Sequence, residues 1–312
     1  MPTRPWLSTL QRYQGLVGLV LLFLVALTLR TPFFTAANLG NVLGQLAVPG
    51  VLAIGITFVI LTGGIDLSVG SHLGLLNCVA ATWLAAGSLP LAAGAYVLAL
   101  GTGIGAFLGF LVGKTKLQPF VVTLAAMVSL RGAAYVYTEN RNVSAIGSGL
   151  SWLEQKSVLG LPNSGWVLIG VTLVAWALLR GTVFGRRVMA IGGNEEAARL
   201  SGVPVDRTRI AAYALNGLCV GVAALIFTAR NSSGQPNAGG GYELDAITAA
   251  VVGGASLLGG YGSALGTFVG ALFIVCLNVL IILQGVNYYV GQGWKGIIIL
   301  VAVYLQNLGR RA

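Results

Sequence analysis

Apolar segments recur along almost all of this 312-residue chain, and they limit its possible folds more than any other feature of the sequence. A helix needs about 20 residues to cross a hydrocarbon layer roughly 30 Å thick. Segments that approach this length lie near residues 13–30, 43–62, 67–86, 89–112, 118–137, 164–180, 210–229, 244–260, 263–284 and 289–306. The sequence therefore predicts an all-α integral membrane protein, with about ten transmembrane helices in a single domain over residues 1–312.

The predicted helices are not expected to be uniform. The second and third segments meet at a Gly-rich break, and the eighth, residues 244–260, is expected to be short or re-entrant and to line a cavity. Glycine occurs 46 times, and two sets of glycines recur at four-residue spacing, which places each set on one helix face. They are Gly101, Gly105, Gly109 and Gly113, and Gly262, Gly266 and Gly270. Such bare faces predict close helix packing.

Composition and charge exclude a soluble globule and indicate an orientation in the membrane. Hydrophobic residues make up 56% of the chain and charged residues only 8%. With a cytoplasmic N-terminus, twelve of the 18 Lys and Arg residues fall on the inner side, so both termini are expected to be cytoplasmic. The net charge of +10 then reflects topology and contact with anionic membrane lipid, and no pattern suggests a nucleic-acid partner. A cleavable signal peptide is the alternative for the first segment, but its long apolar run favours a retained anchor.

A short polar island interrupts the apolar sequence within a predicted cytoplasmic loop at about residues 181–209. It combines a good N-cap, two acidic residues in the first turn, a basic residue near the end and a glycine suited to a left-handed C-terminal position. Its residues are Asn194, Glu195, Glu196, Ala197, Ala198, Arg199, Leu200, Ser201 and Gly202. A helix this short is only marginally stable in water, so we expect it to dock on a partner protein.

A second polar interruption, the string GGIDLSVGS at residues 63–71, lies between the second and third apolar segments. The polar residues Asp66 and Ser68 follow the paired glycines Gly63 and Gly64. A carboxylate in apolar surroundings is costly unless it is paired or hydrated, so one interpretation is a broken helix that lines or gates a pathway. The other is that Asp66 is the N-cap of the third helix. The two interpretations are compatible at a broken helix.

The string GGASLLGGYGS at residues 253–263 repeats this arrangement 190 positions later. It again joins an apolar run, paired glycines and a small polar residue, and internal repeats of this kind are common in transporters. Gly253, Gly254 and Ser256 are therefore added to the candidate pathway.

Arg131, in the fifth apolar segment, is the one charge left inside a predicted span. One interpretation is that it lines the pathway or pairs with Asp66. The other is that it anchors its helix near the outer face, as a long side chain that reaches the interface. Tyr135 and Tyr137 nearby fit an interfacial position.

No combination of residues indicates catalysis or a metal site. His72 is the sole histidine, which excludes His-rich metal clusters and His-based triads, and it is interpreted as a hydrogen-bonded structural residue. The string Gly113-Lys114-Thr115 has Leu108 where a phosphate-binding loop requires glycine. We therefore expect no catalytic residue, no metal and no cofactor in this chain, and any energy source must come from outside it.

Four strings carry a resemblance to a known family. They are GGIDLSVGS at 63–71, TLAAMVSLRGAAYVYT at 123–138, AIGGNEEAARLSGVPVDRTR at 190–209 and GYELDAITAAVVGGASLLGGYGSALGT at 241–267. In this order they resemble the permease subunits of bacterial ABC importers for monosaccharides, of the ribose, xylose and arabinose type. Two positions depart from the pattern: Tyr261 stands where a basic residue is frequent, and His72 where an apolar residue is common.

The resemblance implies an importer domain in the bacterial inner membrane, paired with a second permease copy or a homologous permease. Two ATPase domains would dock on the segment 194–202 and drive transport, and an extracytoplasmic sugar-binding protein would deliver the solute. Permeases for nucleosides, branched-chain amino acids or a signalling furanone remain alternatives within the class. Outside it, an ATP-independent secondary transporter remains an alternative, with Asp66 and Arg131 as its ion site.

Two outer loops, residues 231–242 and 139–163, are candidates for docking the binding protein. Within the first loop the candidate residues are Asn231, Gln235 and Asn237. Gly, Asn and Pro suit any connecting turn equally well, so a purely structural loop is the alternative.

Overall fold

The computed structural model describes residues 14–29, 32–115, 117–147, 149–155 and 160–285, together with positions 293, 296, 297 and 300. Its longer helices are α1 (Gln14–Thr28), α2 (Ala36–Leu61), α3 (Val69–Ala85), α4 (Pro90–Lys114), α5 (Pro119–Tyr137), α6 (Asn163–Gly181), α7 (Val183–Gly193), α8 (Glu195–Leu200), α9 (Val205–Asn231), α10 (Tyr242–Val252) and α11 (Ala264–Leu283). Short 3₁₀ turns cover Pro32–Phe34 and Ser151–Leu153. One antiparallel pair of two-residue strands joins β1 (Val143–Ser144) to β2 (Ser233–Gly234). The all-α prediction is confirmed.

Six helices in the described part of the chain are long and apolar enough to cross a membrane. They correspond to α2, α4, α5, α6, α9 and α11, and the chain is a multi-pass membrane protein. The first and third predicted spans form the shorter apolar helices α1 and α3. The tenth predicted span, residues 289–306, lies outside the described residues apart from four isolated positions.

The two predicted irregular regions are both present. Helix α2 ends at Leu61 and α3 begins at Val69, so a seven-residue break separates them. The eighth predicted span is shorter than its apolar sequence suggests, because α10 stops at Val252 and Gly-rich turns occupy 253–263. The expectation of a short or re-entrant helix is confirmed, and a full span over 244–260 is wrong.

Helix α9 is the centre of the bundle and packs along α4, α2 and α3. Along its contact with α4, glycines bring the two backbones close together. A Cβ on Gly101 would lie 2.7 Å from the Gly217 carbonyl oxygen, and one on Gly109 would lie 2.8 Å from the Ile210 Cα. The glycine set at four-residue spacing therefore allows the backbones to approach as predicted. Gly266 and Gly270 of the second set meet Gly253 and Ala249 in the same way.

A re-entrant leg, residues 234–239, runs back into the bundle along α3 after α9 ends. Gly234 lies against Ala81 and Cys78, and Gly239 lies against Gly70, which is eight residues before Cys78 on α3. Since a helix rises 1.5 Å per residue, the leg descends roughly 12 Å along α3 before α10 begins. Helix α10 therefore begins at depth and is a half-helix.

A matched pair of glycine substitutions on α4 tests the packing against α9. Gly105→Ala is expected to lower the free energy of unfolding by about 1–3 kcal/mol, the range for overpacking, since its methyl group would overlap the Tyr213 carbonyl oxygen. Gly103→Ala is the control, because nothing lies within 4 Å of a Cβ there, and it should change stability by less than about 1 kcal/mol. Thermal unfolding of both purified variants in one detergent measures the difference, and equal stabilities would contradict the packing described.

Candidate functional site

Helix α8 forms where the sequence predicts it, and both of its ends are capped. The Asn194 side chain accepts a hydrogen bond from the Ala197 N–H at 2.9 Å. At the other end Gly202 has a φ of 79°, its N–H donates to the Arg199 carbonyl, and the Val203 N–H donates to the Ala198 carbonyl. These two bonds form a Schellman motif, which satisfies carbonyl groups that the helix end leaves open.

Ion pairs within the chain support α8, and its docking on a partner stays a prediction. Glu195 accepts hydrogen bonds from Arg209 at 2.7 Å and from Arg199 at 3.2 Å. Arg199 also reaches Asp206 at 3.3 Å, and Lys114 of α4 lies 3.5 Å from the same carboxylate. The ion pairs tie α8 to the first turn of α9. The side chains of Glu195 and Arg199 nevertheless stay accessible, at 44% and 53%.

This network also changes the protonation of Glu195. The hydrogen bond from Arg209 holds the pKa of Glu195 below its usual value of 4.5, although partial burial acts in the opposite direction. On the apolar side, Ala198 packs with Ile191 and Val205. The residues of α8 that remain turned to the surroundings include Glu196 and Leu200, and Leu200 is 84% exposed.

The break between α2 and α3 buries its carboxylate completely. Asp66 is 1% exposed and accepts hydrogen bonds from the Ser68 N–H at 2.8 Å and the Ser68 hydroxyl at 2.6 Å. The Asn216 side-chain amide of α9 donates to its other oxygen at 2.8 Å. Asp66 is not the N-cap of α3, as one interpretation held, since the cap position belongs to Ser68. In this conformation the Asp66 carboxylate forms its hydrogen bonds within the protein.

Glycines from three segments meet at the end of the molecule that carries α8. The Gly260 N–H donates to the Leu61 carbonyl at 3.0 Å, which joins the turn after α10 to the end of α2. A Cβ on Gly259 would lie 2.7 Å from the Gly63 nitrogen and 2.8 Å from the Gly192 Cα. We call Gly63, Gly192, Gly259 and Gly260 the glycine junction. Since Gly192 lies two residues before Asn194, the junction connects α8 to both breaks.

A cavity of about 860 Å³ opens beside this junction. Gly253 and Gly254 line it, together with residues of α1, α6, α7 and the start of α11. Ser256 is half-buried in the same turn and its N–H donates to the Tyr261 carbonyl at 2.8 Å. The candidate pathway residues are thus not brought to one surface, because Asp66 and Ser68 lie buried and do not border this cavity.

Arg131 does not pair with Asp66, and that interpretation is wrong. Its guanidinium group donates to the Pro236 carbonyl at 2.7 Å and the Ala238 carbonyl at 2.6 Å. The side chain passes over Gly74, where a Cβ would lie 2.9 Å from the guanidinium nitrogen. Arg131 therefore connects α5 to the re-entrant leg, which no sequence pattern indicated because the partners are backbone carbonyls about 105 residues away.

The three candidate docking residues differ in their placement. Asn231 and Asn237 are exposed, and the Asn231 amide bonds back to the Phe227 carbonyl at the end of α9. Gln235 is anchored inward, because its N–H donates to the Asn77 side chain at 2.7 Å and its carbonyl accepts from the Asn77 amide at 3.1 Å. A docking role for Gln235 would have to leave this main-chain bonding intact.

Three buried polar residues of the site were missed from the sequence: Asn77, Asn216 and Tyr213, whose hydroxyl donates to the Ile65 carbonyl at 3.3 Å. Asn216 stood in the predicted span 210–229, and a carboxamide in an apolar helix was the signal that could have found it. His72 is fully buried on α3, and its Nε2 has no hydrogen-bond partner among the described residues, so the expected hydrogen bond of that atom is not found there.

Comparison with known proteins decides the family. The sequence model described as "Branched-chain amino acid transport system / permease component" matches residues 38–305. The ribose import permease protein of Escherichia coli K12 is 44% identical, over 98% of this chain and 95% of its own length. The chain belongs to this family of permeases.

Two further relatives in this family cover most of their own length as well. The ribose import permease protein of Bacillus subtilis 168 is 41% identical, over 96% of this chain and 93% of that protein. The xylose transport system permease protein of Escherichia coli K12 is 36% identical, over 89% and 87%. The resemblance to monosaccharide importer permeases is confirmed, and the chain is an ABC importer permease.

A double-mutant cycle tests the hydrogen bond between Asp66 and Asn216. Asn216→Ala is expected to reduce the free energy of unfolding by about 1–3 kcal/mol, because it removes a donor from a buried carboxylate. Asn231→Ala, at an exposed position of the same helix, is the control and should change it by less than about 1 kcal/mol. Thermal unfolding in detergent gives both values. If losses for Asp66→Ala and Asn216→Ala simply add in the double variant, the two side chains are not coupled.

Arg209 and Arg207 form a matched pair for the support of α8. Arg209 bonds to Glu195 and its side chain is 12% exposed, whereas Arg207 is exposed. Arg209→Gln should accelerate amide hydrogen exchange over residues 195–202 about two- to fivefold, the effect expected of one partly exposed ion pair. Arg207→Gln should leave the exchange unchanged. No difference between the two variants would show that the ion pair does not hold α8.

Acidification of the wild type should also accelerate amide hydrogen exchange in α8, as Arg209→Gln is expected to do. The pKa of Glu195 is lower in the folded chain than its usual value of 4.5. Ionised Glu195 therefore stabilises the folded chain fully above pH 4.5, and this stabilisation is lost as pH falls through the depressed pKa. Exchange over residues 195–202, corrected for the intrinsic pH dependence, should therefore rise as pH falls below 4.5. The Arg209→Gln variant should show a smaller rise.

Proposed function

We propose that this chain forms the translocation pathway for a pentose such as ribose or xylose, with ATP hydrolysis supplied by separate ATPase subunits. A binding protein on the outer side delivers the sugar, and a second permease completes the pathway. The relatives named for ribose at 41–44% identity and for xylose at 36% support the sugar class. The family description names branched-chain amino acids, so that class is the alternative to test.

Helix α8 is the observation that carries the docking part of the proposal. It is a separately capped helix at one end of the bundle, and its own ion pairs already hold it to α9. Its exposed Leu200 has no structural task within the described part of the chain, and an apolar side chain at the tip of a polar helix suits burial in the groove of a partner. We therefore assign Leu200 and Glu196 to the ATPase contact, and Glu195 and Arg199 to internal support.

The glycine junction gives this contact a route into the membrane. A displacement of α8 moves α7, whose Gly192 touches Gly259 and the end of α2 directly. Both breaks of the chain contribute glycines to this junction, Gly63 from the first and Gly259 and Gly260 from the second, so one movement would act on α2 and α10 together. In this way ATP-driven closure of the partner would move rigid helices, and the movement would reach both helix breaks.

We place the α8 end in the cytoplasm, and with it both termini. Lys114, Arg180, Arg186, Arg187 and Arg207 lie at or next to this end of the helices, in agreement with the positive-inside rule. ATP and Mg²⁺ would be bound by the partner, and this chain would have no enzymatic activity of its own. An ion-coupled transporter fits less well, because Asp66 and Arg131 make separate sets of hydrogen bonds.

A leucine-to-aspartate pair tests the docking assignment. Leu200→Asp should abolish co-purification of an ABC ATPase and reduce sugar uptake at least about tenfold, because a charge cannot enter the apolar contact without loss of its hydration. Leu89→Asp makes the same change at a 75% exposed site at the opposite end and should leave ATPase binding intact. Affinity purification in mild detergent followed by mass spectrometry measures the ABC ATPase that co-purifies with each variant. Normal ATPase recovery with Leu200→Asp would refute the contact.

Uptake identifies the solute class. In cells that express the permease with its ATPase and binding protein, accumulation of labelled ribose or xylose is expected, and accumulation of labelled leucine is not. ATP-independent uptake in liposomes by the purified chain alone would favour the secondary transporter instead.

A further inference from the structure

The cavity of about 860 Å³ lies at the end of the bundle that carries α8, between α1, α6, α7 and the start of α11. One wall has no side chains, because Gly253, Gly254 and Gly262 form it from the turn between α10 and α11. Pockets of roughly 300–1,000 Å³ hold small ligands in proteins, so the space is large enough for one. Of the described residues that line it, Arg180 alone is charged.

The Arg180 side chain is held in place but is not neutralised. It lies in the last turn of α6, and its guanidinium carbon is 5.9 Å from the centre of the Trp176 ring, where the charge is attracted to the face of the indole. Lys114, Arg199 and Arg209, at the same end of the bundle, each pair with a carboxylate. Among the residues that the structure describes, no carboxylate pairs with Arg180. The chain therefore leaves a positive charge at the cavity without a counter-ion.

The apolar part of the cavity is continuous with a surface that suits lipid. Leu16 of α1 and Leu265 of α11 line the cavity and are 51% and 44% exposed. Val269, one turn further along α11, continues the apolar lining. On α1, Val20 lies one turn after Leu16 and is 50% exposed. A ligand in this cavity would meet a positive charge at the helix ends and aliphatic side chains about one turn, or 5 Å, deeper.

We infer that this cavity binds an anionic phospholipid, with its phosphate group at Arg180 and the upper part of an acyl chain along Leu265 and Val269. A guanidinium group donates paired hydrogen bonds to a phosphate, and tryptophan side chains such as Trp176 favour the level at which headgroups meet hydrocarbon. Basic pockets between transmembrane helices bind lipid headgroups for this reason.

The charge of the cavity selects the anionic class of lipid. A zwitterionic phospholipid carries an ammonium group beside its phosphate, and no acidic residue among the described lining residues could pair with it. A lipid with a net negative charge neutralises Arg180 and leaves no second charge without a partner.

A lipid in this cavity would also contact the turn that leads to the glycine junction. Tyr261 and Gly262 line the cavity and directly follow Gly259 and Gly260 of the junction. The Tyr261 carbonyl accepts a hydrogen bond from the Ser256 N–H at 2.8 Å, which closes this turn. Because the bound lipid packs on the folded turn and has no site in the unfolded chain, it should stabilise this part of the fold.

Lipid titration of the purified full-length chain tests the role of the charge. Phosphatidylglycerol is added to the chain in mild detergent, and native mass spectrometry counts the bound lipid. Arg180→Gln should weaken the tightest phosphatidylglycerol binding about fivefold, the effect of one basic residue on an anionic lipid, and Arg180→Lys should recover most of it. Arg207→Gln is the control, because Arg207 is exposed at the same end of the bundle and does not line the cavity. Phosphatidylcholine should bind equally weakly to the wild type and to Arg180→Gln.

Photocross-linking in native membranes identifies what fills the cavity. A benzoylphenylalanine in place of Leu265 reports on the cavity, and one in place of Val174, 60% exposed on α6, reports on ordinary lipid contact. The lipid adducts at position 265 should be enriched in anionic phospholipid about fivefold over those at position 174. Arg180→Gln should remove this enrichment, and Arg207→Gln should leave it unchanged.

Four results would overturn the inference. Equal affinities of the wild type and Arg180→Gln for phosphatidylglycerol would separate lipid binding from this charge. An equal loss in Arg207→Gln would reduce the effect to general surface charge. Adducts at position 265 mainly with residues 1–13, or with a second copy of the chain, would show that protein fills the cavity. Soluble glycerol phosphate that binds as tightly as phosphatidylglycerol would assign the site to a soluble phosphate compound. None of these measurements involves transport, so their failure is distinct from a failure of the proposed function.

Discussion

The fold depends on one requirement of the hydrocarbon phase, which is that every backbone polar group must find a partner inside the protein. The re-entrant leg 234–239 is where this is hardest to meet, since it enters the bundle without helical hydrogen bonds. Asn77 pairs with both main-chain groups of Gln235, and Arg131 takes the carbonyls of Pro236 and Ala238. These partners come from α3 and α5, so both helices must carry polar side chains that a simple lipid-spanning helix would not have.

Glycine makes the same arrangement sterically possible. Gly70 and Gly74 lie one turn apart on α3, and a Cβ at either would collide with the leg or with Arg131. The same face of α3 continues with Asn77, Cys78 and Ala81, against which Gly234 packs. A half-helix at membrane depth thus follows from two glycines, one asparagine and one arginine. The chain has already descended about 12 Å along α3 before α10 begins, so α10 starts within the bundle.

Local chemistry explains which parts of the site could be predicted from the sequence. Helix α8 was predicted nearly to the residue, because caps, first-turn charges and the C-terminal glycine act within one segment. The break after α2 and the short eighth helix were predicted for the same reason. Partners far apart in sequence were not: nothing in the apolar runs indicated that Asp66 meets Asn216 or that Arg131 meets the 236–238 carbonyls. The paired interpretation of Asp66 and Arg131 failed because opposite charge alone does not specify distance.

The ion pairs of α8 separate the residues that hold the helix in place from those that remain exposed. Glu195 and Arg199 form bonds with Arg209 and Asp206, so the helix is held before any partner arrives, and its exposed residues need not be ordered on contact. If α8 docks on an ATPase as proposed, a helix preorganised in this way would lose less conformational entropy on docking, which would leave more of the contact energy for movement of the domain. That movement would pass through the glycine junction, where backbone lies directly on backbone. A contact between bare backbones transmits a rigid displacement, whereas a layer of flexible side chains would absorb part of it.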